Sequence, residues 1–203
     1  MKVLMLSPYP HLLHRALEEA GDTFINEDMP ITSVDFVVSL GHPRLISGPM
    51  LTTFKDRIIN IHISLLPWNR GADPNFWSWF DDTPKGVTIH RIDAGIDTGN
   101  ILAQREITKW HEDETLNTSW HCLMAGAKGL FEDEWKNIRR DALPSRRPEG
   151  GSYHKGADKD PWFKHLPLGW KTPVSDIKRL GREHRAPQLE KEDPHSGTGQ
   201  VRR

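Results

Sequence analysis

The chain has 203 residues, with 27 Lys and Arg set against 28 Asp and Glu for a formal net charge of −1. That length suits one full α/β core with an appendage rather than two independent domains, and so even a balance supplies no field for steering onto nucleic acid. A single cysteine, Cys122, excludes a disulfide framework within the chain and any cysteine-rich metal site.

Lys2–Leu6 reads as a first buried strand that runs at once into Pro8 and Pro10. No basic start is followed by an apolar leader, and no window approaches the roughly 20 apolar residues that cross a bilayer, so the expected location is cytoplasmic with no membrane partner. Residues 11–20 carry apolar side chains at 12, 13, 16, 17 and 20, which is helical spacing, and Gly21 is placed as a stop. A second central strand is expected over 34–40, ending at Gly41. A short helix follows over 48–54 with Pro49 in its first turn. Residues 57–63 form a third strand and 75–80 a helical turn after Pro74. Residues 86–92 and 100–107 are β-rich, and the loop 93–99 between them suggests an antiparallel or looped pair.

From 115 to 140 the pattern turns helical, with Leu116, Trp120, Leu123, Ala127, Leu130, Phe131, Trp135 and Ile138 on one stripe, interrupted by Gly126 and Gly129. Cys122 lies in this pattern, where a small buried apolar role competes with that of a nucleophile. These readings divide the chain into a core (1–143), a short irregular appendage (144–185) and a disordered tail (186–203). The apolar residues of 151–172 either pack on the core or cover a partner subunit, which would make a homodimer. Early strands alternating with helices give an α/β fold with a Rossmann-like, mostly parallel sheet. Ligands bind such sheets at the carboxyl ends of the strands. Neither G-x-G-x-x-G nor G-x-x-x-x-G-K-[ST] occurs in the chain, so no dinucleotide or Walker-type site is indicated.

The stretch 58–71, Ile-Ile-Asn-Ile-His-Ile-Ser-Leu-Leu-Pro-Trp-Asn-Arg-Gly, carries the chemistry. Strand alternation places Asn60 and His62 on one face and Ile59, Ile61 and Ile63 on the other. An amide and an imidazole side by side at a strand end can donate to an oxyanion forming on a carbonyl. A carboxylate at Asp97, in Gly95-Ile96-Asp97-Thr98-Gly99, could hydrogen-bond His62 and move a proton. Each residue alone has a plainer account. His62 could simply be hydrogen-bonded, Asn60 could satisfy backbone groups, and Asp97 could form a turn. Trp68, Trp77 and Trp79 either stack on a base or sugar or pack in the core. Arg70 either clamps a phosphate or pairs with Asp73. The scattered histidines lack H-E-x-x-H or any cysteine pairing, so no metal is expected.

Asn60-Ile61-His62, Ser64-Leu65-Leu66-Pro67 and Asp97-Thr98-Gly99 stand in the order and spacing of the folate-dependent formyltransferases, and over about 34–140 the chain resembles that family. The resemblance is nearest to the nucleotide-sugar N-formyltransferases, through Trp68-Asn69-Arg70-Gly71-Ala72-Asp73-Pro74-Asn75 and Ser152-Tyr153-His154-Lys155. It implies Asn60, His62 and Asp97 as the catalytic trio, and 10-formyltetrahydrofolate as co-substrate. The folate would be held by Arg44, Leu45 and Ile46 with Ile92, Asp93, Ala94 and Gly95, largely through backbone groups. Trp68, Asn69, Arg70 and Gly71 would lie against the acceptor, a primary amine on a nucleotide-linked sugar. Hydrolysis of the formyl-folate, or binding of folate or nucleotide sugar without turnover, are the alternatives. Departures from the family pattern are Ile63 after the Asn-x-His and a first turn, Ser7-Pro8-Tyr9-Pro10, without glycines.

Overall fold

The computed structural model describes residues 1–25, 30–46 and 48–192, with side chains as far as 186. Its elements are Lys2–Leu6 (β1), His14–Glu19 (α1), Thr23–Ile25 (β2), Phe36–Leu40 (β3), Pro49–Phe54 (α2), Ile58–His62 (β4), Arg70–Gly71 (β5), Pro74–Phe80 (α3), Gly86–Arg91 (β6), Ile101–Glu106 (β7), Leu116–Ile138 (α4), Tyr153–His154 (β8), Asp160–Phe163 (α5) and Val174–Glu192 (α6). The main sheet has the order β2-β1-β3-β4-β6-β7. β2, β1, β3 and β4 are parallel, while β6 and β7 are antiparallel to their neighbours. β1, β3 and β4 are covered on both faces, which is why they read as apolar runs rather than as alternations. On one face Val3, Met5, Val38, Ile59 and Ile61 pack under α1 and α4; on the other Leu4, Leu6, Val37 and Ile58 meet Phe54 of α2.

The sequence expectations for β1, β3, α2, β4, α3 and the β6–β7 pair match these elements within two residues at either end. The helix expected over 11–20 divides into a 3₁₀ turn, Pro10–Leu12, and α1. Pro10 starts that turn, and Leu12 and Leu13 donate three residues back to Tyr9 and Pro10, at the tighter pitch. β2, a three-residue edge strand, was not expected. α4 starts at a reciprocal cap in which Thr115 Oγ1 accepts from the Thr118 amide and Thr118 Oγ1 accepts from the Thr115 amide. It runs unbroken through Gly126 and Gly129, because both let the helix lie close to the sheet. A Cβ at Gly126 would sit 2.8 Å from Ile107 and one at Gly129 2.8 Å from the Arg105 guanidinium. Cys122 is half-buried rather than enclosed.

The segment after α4 folds back on the chain. β8 pairs in parallel with β5 to make a second, two-stranded sheet, and α6 packs against α3. Phe76, Trp77, Trp79 and Phe80 meet Trp162, Phe163, Leu166, Val174 and Ile177 in a separate aromatic core, so Trp77 and Trp79 are packing residues. The appendage is therefore partly helical, and α6 continues past 186 to Glu192. The rest of the expected tail, 193–203, lies outside the described residues. No helix among the described residues is long and apolar enough to cross a membrane.

Lys85 is buried below α3. Its ammonium donates to the carbonyls of Ser78 and Thr83 and lies over the Trp79 ring. Burial, together with the charge of Lys178, lowers its pKa to about 8, against the pull of Asp82. An unfolded lysine titrates near ~10.4, so between the two values the unfolded chain holds a proton that the folded chain has released, and stability rises with pH. Urea unfolding at about pH 8 and about pH 10 should show a gain on the order of 1–2 kcal/mol. Lys85→Met should abolish that gain.

Candidate active site

The register of β4 builds the site. Asn60 lies between Ser39 of β3 and His90 of β6, and His62 is opposite Thr88. Asn60 and His62 share the face of Ile58 at the carboxyl end of the strand, as alternation requires. His90 joins them from the antiparallel neighbour, where directly opposed side chains stand closest.

Asp97 comes in on the loop between β6 and β7 with φ +52. Asn69 (φ +57) and Asp73 (φ +54) share that left-handed conformation, which Asn and Asp tolerate better than other side chains with a Cβ. Two donors and two imidazole nitrogens converge on the Asp97 carboxylate. The Gly71 amide donates to Oδ2 at 2.8 Å and Asn60 Nδ2 to Oδ1 at 3.3 Å. His90 Nε2 stands 3.3 Å from Oδ1 and His62 Nδ1 3.7 Å from Oδ2. Burial pushes the carboxyl up, but the charge on His62, the hydrogen bond and charge of His90 and the Gly71 amide outweigh it and hold Asp97 well below the usual carboxylate range. The direct hydrogen bond between His62 and Asp97 that the sequence suggested is not formed. At 3.7 Å the pair attract electrostatically and leave a gap facing the cleft.

The imidazole of His62 is fixed from its other side, where Nε2 meets the Asn69 carbonyl at 2.9 Å. A carbonyl oxygen only accepts, so Nε2 carries the hydrogen and Nδ1 is the atom turned towards Asp97 and the cleft. His90 is anchored in the same way, its Nδ1 donating to the Arg91 carbonyl at 2.7 Å. The trio plus His90 can therefore present an amide N–H and, when His62 is protonated, an imidazole N–H to a developing oxyanion beside a carboxylate whose ionised form its neighbours favour. That is equipment for acyl transfer to a nucleophile.

These side chains open into a cleft of about 590 Å³ at the carboxyl ends of β1, β3 and β4. Arg44, Leu45, Ile46, Ile92, Asp93 and Gly95 line one part of it. Asp93 shapes this wall by accepting from the Gly95 amide and the Thr98 hydroxyl. Ala94 is not on the wall. Gly71, Asp73, Tyr153, His154 and Lys155 line another part, so β5 and β8 together make a rim.

Of the four residues expected against the acceptor, only Gly71 lines the cleft; Trp68, Asn69 and Arg70 do not. Trp68 is partly exposed, and Asn69 is fully buried with its amide on Thr83. Arg70 has its Nε buried without a partner, and Asp73 is taken by Lys159 at 2.6 Å. His90 was not singled out in the sequence, although Thr88 and His90 alternate in Gly86–Arg91 as Asn60 and His62 do in β4. Among the described residues no group of His, Cys, Asp and Glu is arranged to hold a metal ion.

The model of the formyl transferase family matches residues 12–131, and the chain belongs to that family. Methionyl-tRNA formyltransferases from Clostridium botulinum and Paracoccus denitrificans are each 29% identical over 79% and 85% of the chain. The chain spans only about half of their length, 51% and 60%. Among solved structures, the formyltransferase PseJ from Anoxybacillus kamchatkensis, in complex with UDP-4,6-dideoxy-4-formamido-L-AltNAc and tetrahydrofolate, is 41% identical with a TM-score of 0.82, over 89% of this chain and 100% of that one. A sugar N-formyltransferase from Shewanella sp. shares the fold at 20% identity and a TM-score of 0.71, over 89% of this chain and 87% of that one.

Proposed function

We propose that this protein is an N-formyltransferase that moves a formyl group from 10-formyltetrahydrofolate to the primary amine of a nucleotide-linked amino sugar. The observation that carries this reading is the likeness to PseJ, which extends over that whole chain and whose complex pairs tetrahydrofolate with a UDP-linked 4-formamido sugar. The favoured acceptor is accordingly a UDP-linked 4-amino-4,6-dideoxy sugar.

In the proposed reaction Asn60, His62 and Asp97 are the catalytic residues. The folate lies along Arg44, Leu45, Ile46, Ile92, Asp93 and Gly95, and the amino sugar enters past Gly71 and the β8 rim. The neutral amine attacks the formyl carbon, and its electron pair forms the new C–N bond. The carbonyl π electrons move to oxygen, where Asn60 Nδ2–H and protonated His62 Nδ1–H stabilise the oxyanion. As the tetrahedral intermediate collapses, the C–N bond to folate breaks. The proton lost by the amine passes by way of the Asp97 carboxylate to the departing folate nitrogen.

Purified protein mixed with 10-formyltetrahydrofolate and a UDP-linked 4-amino sugar should release tetrahydrofolate and add one formyl group to the sugar, read by absorbance and mass spectrometry. Methionyl-tRNA and 3-amino nucleotide sugars serve as competing acceptors. Preference for methionyl-tRNA would overturn the acceptor assignment, and formate release without any amine would make the protein a hydrolase.

A further inference from the structure

We infer that Ser152, acting through Asn69, is a positioning residue that fixes the tautomer and orientation of the His62 imidazole; the inference rests on the formyl-transfer reading for its kinetic consequence. The Asn69 carbonyl is what holds His62 Nε2, and that carbonyl has no freedom of its own. The Asn69 amide N–H donates to Ser152 Oγ at 2.9 Å, and Ser152 Oγ–H donates to Asn69 Oδ1 at 3.2 Å. Asn69 Nδ2 donates to Thr83 Oγ1 at 2.7 Å, and the Ser152 carbonyl accepts from the Arg70 amide at 3.0 Å.

Asn69 is fully buried in a left-handed conformation, so its own polar groups depend on these half-buried partners. The Arg70 N–H lies in the same planar peptide as the Asn69 carbonyl and is held by the Ser152 carbonyl, while the Ser152 hydroxyl holds the Asn69 amide and side chain on the other side of the Cα. Removing the hydroxyl leaves Asn69 anchored to Ser152 by the backbone bond alone, so the Asn69 carbonyl shifts. His62 Nε2 then has a less well placed acceptor, and Nδ1 is held less firmly towards Asp97.

Ser152→Ala should lower kcat roughly ten- to a hundredfold, the cost of a small displacement at the reacting centre, while KM for the formyl-folate stays near the parent value. Ser152→Thr, which keeps the hydroxyl, should recover most of kcat. Nitrogen-15 NMR of the His62 ring should show a single Nε2–H tautomer in the parent and a mixture in Ser152→Ala. Should Ser152→Ala fail to fold, Thr83→Val, which removes the bond on the other side of Asn69, carries the test with the same readouts. An unchanged His62 signal together with parent kcat overturns the inference. If the parent transfers no formyl group to any amine, the functional reading falls, and the NMR comparison decides the inference by itself.

Discussion

Replacing Asp97 with Asn should lower kcat roughly 10³-fold or more, with KM for the formyl-folate little altered, because it removes both the proton carrier of the proposed reaction and the charge beside His62. The change is nearly isosteric but chemically severe. The Gly71 amide donates to one carboxylate oxygen and Asn60 Nδ2 to the other, with His90 Nε2 and His62 Nδ1 beside them as donors when protonated. An amide offers one accepting oxygen and one NH₂, so at least one of the donors must face another donor in a mostly buried site. Stability should change with it. A carboxyl held below its usual range in the folded chain stabilises the fold above the unfolded value of about 3.9, and that contribution disappears as pH falls through the folded value. Asp97→Asn should therefore be less stable than the parent at neutral pH, with the difference closing in strong acid. Steady-state kinetics and chemical unfolding at matched pH test both parts; kcat within tenfold of the parent would remove Asp97 from the chemistry.

Gly71→Ala should have the second-largest effect. Gly71 has φ +91, and a Cβ there would run into the His154 carbonyl oxygen and the Tyr153 ring. An L side chain is strained at that φ wherever space exists, and here there is none. The variant should open the β5–β8 pairing, carry the Gly71 amide away from Asp97 Oδ2 and lower kcat roughly 10²-fold. Strain and lost pairing together should reduce stability by about 2–3 kcal/mol. Unfolding curves and kinetics on the same preparation separate the two effects. A stable variant with parent kcat would show that the rim does not set the Asp97 geometry.

Strand alternation, a local property of the chain, placed Asn60 and His62 on one face, and the glycines around Asp97 marked a tight loop. Apolar runs marked β1 and β3 as strands, and their alternation with helices pointed to a mostly parallel sheet. Those features are readable because each depends on neighbours within a few residues. His90 depends instead on where β6 returns beside β4, a register that nothing within Gly86–Arg91 specifies. Asn69 sits in a motif that resembles an acceptor site, and only its burial, together with contacts to Thr83 and Ser152, turns it from a surface into a support. α6 carries a thin apolar stripe, Val174, Ile177 and Leu180, that becomes meaningful only against the aromatic face of α3.

By itself, then, the sequence determined an α/β sheet, its Asn-x-His strand and the loop that brings a carboxylate, since local backbone periodicity and turn chemistry dictate all three. The tertiary structure alone decided the rest: which nitrogen of His62 faces the cleft, that a second histidine flanks the carboxylate, and that the C-terminal segment completes the rim. Those outcomes depend on contacts between residues far apart in the chain, such as Asn69 with Ser152, and the free energy of such contacts exists only once the core has closed around them.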